Sequence, residues 1–79
     1  MIEITAETVA SVENDITNLL ARYPSLRMDR RAAVDNFRDG LATVIADDVI
    51  AGMAPDPATL ARYAYLTELW KGTELAARS

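Results

Sequence analysis

The sequence has no cysteine and no histidine. Without cysteine there is no disulfide to staple a short chain and no thiolate to hold a metal. Without histidine the usual zinc, copper and iron sites lose their commonest ligand. The two absences together remove the Ser-His-Asp triad, the Cys-His pair and any imidazole general base. Only three glycines occur, Gly40, Gly52 and Gly72. They stand too far apart to form a phosphate-cradling loop. No apolar run approaches the roughly 20 residues that span a bilayer. No basic-then-apolar leader opens the chain, so a cytoplasmic location without membrane attachment is expected. Basic residues are also scarce, eight against twelve acidic ones, for a formal charge of −4. A general nucleic-acid binder needs the opposite sign, because phosphate neutralisation supplies most of its affinity. An acidic balance keeps a chain in solution and steers it toward basic protein surfaces.

The 79 residues make a single domain, residues 1–79. A chain of this length buries only about 60% of its unfolded surface and is marginally stable alone. With disulfides and metals excluded, idealised helix packing or self-association must supply the difference.

Three helices are legible. Ile2, Thr5, Val9, Val12, Ile16, Leu19 and Tyr23 recur at spacings of three and four, with Thr5 as N-cap and Glu7 in the first turn. This seam faces either the chain's own second helix or a second copy of the chain. Pro24 ends the helix, and Ser25 or Asp29 caps the next. That helix runs from about Asp29 to Ala51, with Ala33, Val34, Phe37, Leu41, Val44, Ile45, Val49 and Met53 as its apolar stripe. Arg31 with Asp35, and Asp35 with Arg38, have the spacing for ion pairs on the exposed face. Gly40 marks either a break or a close helix approach. The stripe keeps its phase across it, which favours a continuous helix. The third helix runs from Pro57 to about Lys71. It carries Leu60, Tyr63, Leu66 and Trp70 on one face and Ala61, Tyr65 and Leu69 beside them. Gly72 is expected to end it, leaving Thr73–Ser79 frayed. The fold class is therefore all-α: a three-helix domain, with helices 1 and 2 as an antiparallel hairpin and helix 3 packed across it.

Between helices 2 and 3 lies the corner Gly52-Met53-Ala54-Pro55-Asp56-Pro57. Gly52 supplies the left-handed stop and Pro55 blocks continuation. Asp56 caps the next helix, and Pro57 takes its first position.

No catalytic set, cofactor site or metal site emerges. Asp47 and Asp48 are adjacent, and neighbouring helix positions diverge by about 100°. They are exposed carboxylates near a helix end, and not an acid–base pair. Asp35–Gly40 brushes against a calcium loop. Phe37 stands at its third place and Ala46 at its twelfth, where oxygen ligands are required. Arg27, Arg30, Arg31 and Arg38 are interleaved with Asp29, Asp35 and Asp39, so their field nearly cancels. Tyr63, Tyr65 and Trp70 hold three of the five aromatic rings. They spread over more than one face of helix 3, so at least one is expected to be exposed. Trp and Tyr dominate interface hot spots. Partner-binding candidates are accordingly Tyr63, Tyr65, Trp70, Asp47 and Asp48.

The stretch Asp47 to Pro57, followed by an amphipathic helix, resembles small antitoxins that inhibit Fic-type AMP-transferring toxins. In that family a helix ends in Ser/Thr-x-x-x-Glu-Gly, then an apolar residue and a Pro-x-Pro-like corner. Lys71-Gly72-Thr73-Glu74 is similar to a Gly-Glu-like turn that often follows. Here Asp47 stands at the Ser/Thr position and Ala51 at the inhibitory Glu position. The resemblance thus implies a helical partner-binding module more than that inhibitory pairing with arginine.

The expected function is non-catalytic protein binding, as a small acidic inhibitor or antitoxin that masks a site on a larger protein. Two alternatives stand beside it. One is a homodimeric structural or assembly subunit of phage type, and the other is a transcription-related DNA-binding protein.

Overall fold

The computed structural model describes residues 3–22, 24 and 28–78, with side chains described up to residue 72. The stripe positions Ile2 and Tyr23, the alternative cap Ser25, and Arg27 lie outside the described residues. The chain folds into three helices, α1 (Ala6–Arg22), α2 (Arg30–Ile50) and α3 (Pro57–Arg78), with no strand among the described residues. This is the all-α three-helix domain expected. α3 packs against both other helices, and the α2–α3 pairing is the most extensive.

Capping residues fix where the helices start. The Thr5 Oγ1 accepts a hydrogen bond from the Thr8 N–H at 3.1 Å. Asp29, in extended backbone, accepts from the Ala32 N–H at 2.8 Å. Asp56 accepts from the Ala58 N–H at 2.9 Å. Each carboxylate or hydroxyl satisfies a donor that the helix itself leaves orphaned.

The end of α2 is just as well defined. Gly52 has φ +75°, which suits a residue without a Cβ. The Met53 N–H donates to the Asp48 carbonyl at 2.8 Å, and the Gly52 N–H to the Val49 carbonyl at 3.0 Å. These two bonds form a Schellman motif, which satisfies the last carbonyls and turns the chain.

Gly72 behaves differently from expectation. α3 runs through it to Arg78, and Gly72 does not adopt positive φ. A glycine inside a helix costs about 1 kcal/mol, which is not enough to stop it. Gly52 terminates because Pro55 follows and forbids resumption, and no proline follows Gly72.

The core is small. Val12 and Ile16 from α1, Ala33 and Val34 from α2, and Ala61 and Leu66 from α3 are buried. Leu19, Leu20, Met28, Phe37, Leu41, Tyr65, Leu69 and Trp70 pack around this cluster half-buried. Gly40 is exposed inside a continuous α2, and an added Cβ would meet nothing within 4 Å. The glycine therefore marks neither a break nor a close approach. Gly40→Ala is expected to stabilise the fold by about 1 kcal/mol, raising Tm by roughly 4–8 °C in a thermal melt.

Candidate functional site

Beyond the core, apolar side chains continue along α2 and into the corner after it, on more than one side of the helix. Exposure is 0% at Ala33 and Val34, then rises to 48% at Val44, 62% at Val49, 84% at Ile50 and 64% at Met53. Side chains of α1 meet α2 near Arg30, Phe37 and Leu41. Glu13 pairs with Arg30, and Val12 and Asp15 line a small cavity with Phe37 and Leu41. The last turns of α2 and the corner after it carry a set of exposed apolar side chains, an apolar tip beyond these contacts. From Val44 to Ile50 the helix rises about 9 Å, and the exposed side chains wrap round it.

Asp47 and Asp48 stand in this tip. Asp47 is exposed and Asp48 half-buried. Neither side chain has a hydrogen-bond or ion-pair partner among the described residues. Both sit at the negative end of the helix macrodipole, and α2 has no basic residue in its last turn. An anion there is worth a penalty of about 0.3–1 kcal/mol. Two carboxylates and a set of exposed aliphatics at one helix end oppose local stability. Violations of this kind are expected where a surface serves something other than folding.

The three aromatic candidates are all half-buried, and none is exposed. Each has work inside the fold. The Arg38 guanidinium reaches from α2 and lies between two rings, 5.3 Å from the Tyr63 centroid and 4.7 Å from that of Trp70. Its Nε donates to the Thr67 Oγ1 at 3.1 Å. Arg38 therefore binds α3, and not Asp35 as the spacing in sequence suggested, because the cation gains more against two ring faces than in an exposed helical pair. The Tyr65 hydroxyl donates to the Glu13 carboxylate at 2.7 Å. Arg38→Ala is expected to cost about 1–2 kcal/mol through lost cation–π contact and packing. It should also red-shift the fluorescence of Trp70, the sole tryptophan, as the ring becomes wetter.

Arg62 and Lys71 of α3 are occupied as well. Arg62 pairs with Asp15 at 3.7 Å and donates to the Ser11 Oγ, while Lys71 approaches Glu68 at 3.7 Å. Among the described residues, no group of three acidic or other metal-ligating side chains could hold an ion. No helix of the described chain is long and apolar enough to cross a membrane.

The sequence pattern placed Val44, Val49 and Met53 on an apolar face without showing that the face lacks a neighbour. A second signal lies in the charge order. From Asp39 to Ala61 there are four aspartates and no lysine or arginine, while the rest of the chain holds eight acidic and eight basic residues. The whole formal charge of −4 therefore resides in the segment that contains the tip. No family model matches the chain, and no curated protein or solved structure shows significant similarity to it.

Proposed function

We propose that the protein is a non-catalytic protein-binding module that docks through the end of α2 and its corner. The observation that carries this reading is the exposure of Val44, Val49, Ile50 and Met53 within one short length of chain. Apolar side chains concentrated on a surface mark an interaction site more often than isolated ones do. The concrete form is a small inhibitor or antitoxin that masks a site on a larger protein. The stretch that resembles the Fic-inhibiting antitoxins, Asp47 to Pro57, coincides with this tip. Ala51 supplies no carboxylate there, so inhibition would proceed by covering the partner's surface and not by pairing with its arginine. Asp47 and Asp48 belong to the docking surface. Tyr63 and Trp70, stacked on Arg38, and Tyr65, bonded to Glu13 of α1, hold the helices together and lie outside the docking surface.

The test is affinity isolation of the protein from its native cells, side by side with a Val49→Ser, Ile50→Ser variant. Both positions are exposed, so the variant should keep wild-type helicity and Tm. A stoichiometric protein partner held by the wild type and lost by the variant is expected. Recovery of no stoichiometric partner overturns the reading, and a partner held equally by both moves the contact face elsewhere.

A further inference from the structure

We infer that the α2 tip is built for a partner surface whose apolar strip is flanked by lysine and arginine, and that it rejects a second copy of itself. This inference rests on the protein-binding reading above and adds the chemistry of the occupant. Charge carries it. Asp39, Asp47, Asp48 and Asp56 surround Val44, Val49, Ile50 and Met53 along the chain, and no cation interrupts them. Arg38 and Arg62 bound this segment, and both are turned to internal use, on Tyr63 and Trp70 and on Asp15 and Ser11. Glu7 of α1 lines a shallow surface depression with Ala58 and Arg62 at the start of α3, so α1 adds a further carboxylate toward this end.

A copy of the same tip brings four more aspartates to the interface. Like charges facing each other across an interface cost several kcal/mol. The apolar residues alone would favour self-association, and the aspartates oppose it. A cationic rim reverses the sign of each of those contacts. It also supplies Asp47 and Asp48 with the positive charge that the C-terminus of α2 lacks. The Schellman turn at Gly52 and the Asp56 cap hold the backbone of the corner, so ordering on binding is confined to the exposed side chains.

The test uses the full chain, labelled with nitrogen-15, at about 0.15 M salt, where bulk charge attraction is screened. The probes are two synthetic amphipathic helices of about 18 residues with the same leucine stripe, one with lysine and one with glutamate on the polar face. The Leu/Lys peptide should shift the amides of residues 44–53, and the Leu/Glu peptide should not. Val49→Ser, Ile50→Ser and Asp47→Lys, Asp48→Lys should each weaken Leu/Lys binding by roughly tenfold or more. The Asp47→Lys, Asp48→Lys variant should at the same time melt higher than wild type, which separates lost recognition from lost folding. Sedimentation should give a monomer.

Equal binding of both peptides overturns the inference, as do shifts spread over acidic residues throughout the chain or indifference to the serine variant. A dimer that the serine variant abolishes overturns it too. Binding to vesicles of anionic lipid in preference to the Leu/Lys peptide would assign the tip to a membrane and likewise overturn it. If native cells yield a partner through the tip while the Leu/Lys peptide fails to bind, the charge argument falls and protein binding stands. If they yield none, the underlying reading falls.

Discussion

Leu66→Ala is expected to remove about 2–5 kcal/mol of stability. A domain of this length holds roughly 4–12 kcal/mol in total, so the loss is a large fraction of what keeps it folded. Leu66 is 1% exposed and belongs to the cluster formed with Val12, Ile16, Ala33 and Val34. It also lines a small cavity with Val12, Phe37 and Leu41, where all three helices meet. Truncation leaves a void among the buried side chains of the cluster, and the cost grows with the volume they do not refill. Chemical denaturation followed by circular dichroism should show a midpoint shift with little change in slope, and Tm should fall by about 10–30 °C. Ile50→Ala is the internal comparison. It removes a similar number of methylenes from a side chain 84% exposed, so its effect should stay within about 0.5 kcal/mol. A loss at Ile50 comparable to that at Leu66 would mean that the tip is part of the core.

The contrast between those two positions shows how far the sequence can be read. Spacing identified Val12, Ile16, Ala33, Val34 and Leu66 as apolar faces, and all five are buried. The caps Thr5 and Asp56 were equally legible, and Asp29 was one of two candidates beside Ser25, because such side chains satisfy orphan donors by local geometry and need no tertiary context. Gly52 was legible for the same reason. Val44 lies in phase with Ala33 and yet is exposed. Val49 and Met53, which the sequence pattern assigned to the same stripe, are exposed too, although Met53 lies beyond the end of α2, past the turn at Gly52. Periodicity tells which side of a helix is apolar, and only packing tells where its neighbour stops. Arg38 is a second case. Its spacing from Asp35 favours a local pair, but tertiary contact with α3 offers two rings and a hydroxyl. The half-buried state of Tyr63 and Trp70 follows from that arginine, which no pattern within α3 could reveal. The charge imbalance of the tip was present in the sequence in full. A net charge averaged over the chain conceals it, whereas charge counted along the chain exposes a run of 23 residues without a cation.

Glu13 is expected to be the residue through which this fold responds to acid. Its carboxylate accepts from the Arg30 Nη1 and Nη2 at 2.9 and 2.7 Å and from the Tyr65 hydroxyl at 2.7 Å. One side chain of α1 thereby ties down both α2 and α3. The hydrogen bonds from Arg30, and next from Tyr65, hold the Glu13 carboxyl below its ordinary value of 4.5. The unfolded chain, lacking these partners, binds the proton more readily. The contribution of Glu13 is therefore complete above about pH 4.5 and is lost as pH falls through the lower folded value. Tyr65 acts at the other end. Burial, reinforced by the Glu13 acceptor, raises its phenol above the ordinary 10.0. Its contribution is complete below about pH 10 and is lost as pH rises through the folded value. Arg30 and Glu13 remain 46% and 34% exposed, and solvent screening holds the size of the effect down. Glu13→Ala should cost about 1–2 kcal/mol at neutral pH, since it leaves the guanidinium and the phenol without their shared acceptor. The informative quantity is the difference in unfolding free energy between wild type and Glu13→Ala, measured by denaturant titration from pH 2 to 8. Titration of the other carboxylates cancels in that difference. It should be flat near neutrality and fall toward zero in acid. A difference that stays constant down to pH 2 would mean that Glu13 joins the three helices by packing of its methylenes and not by its charge.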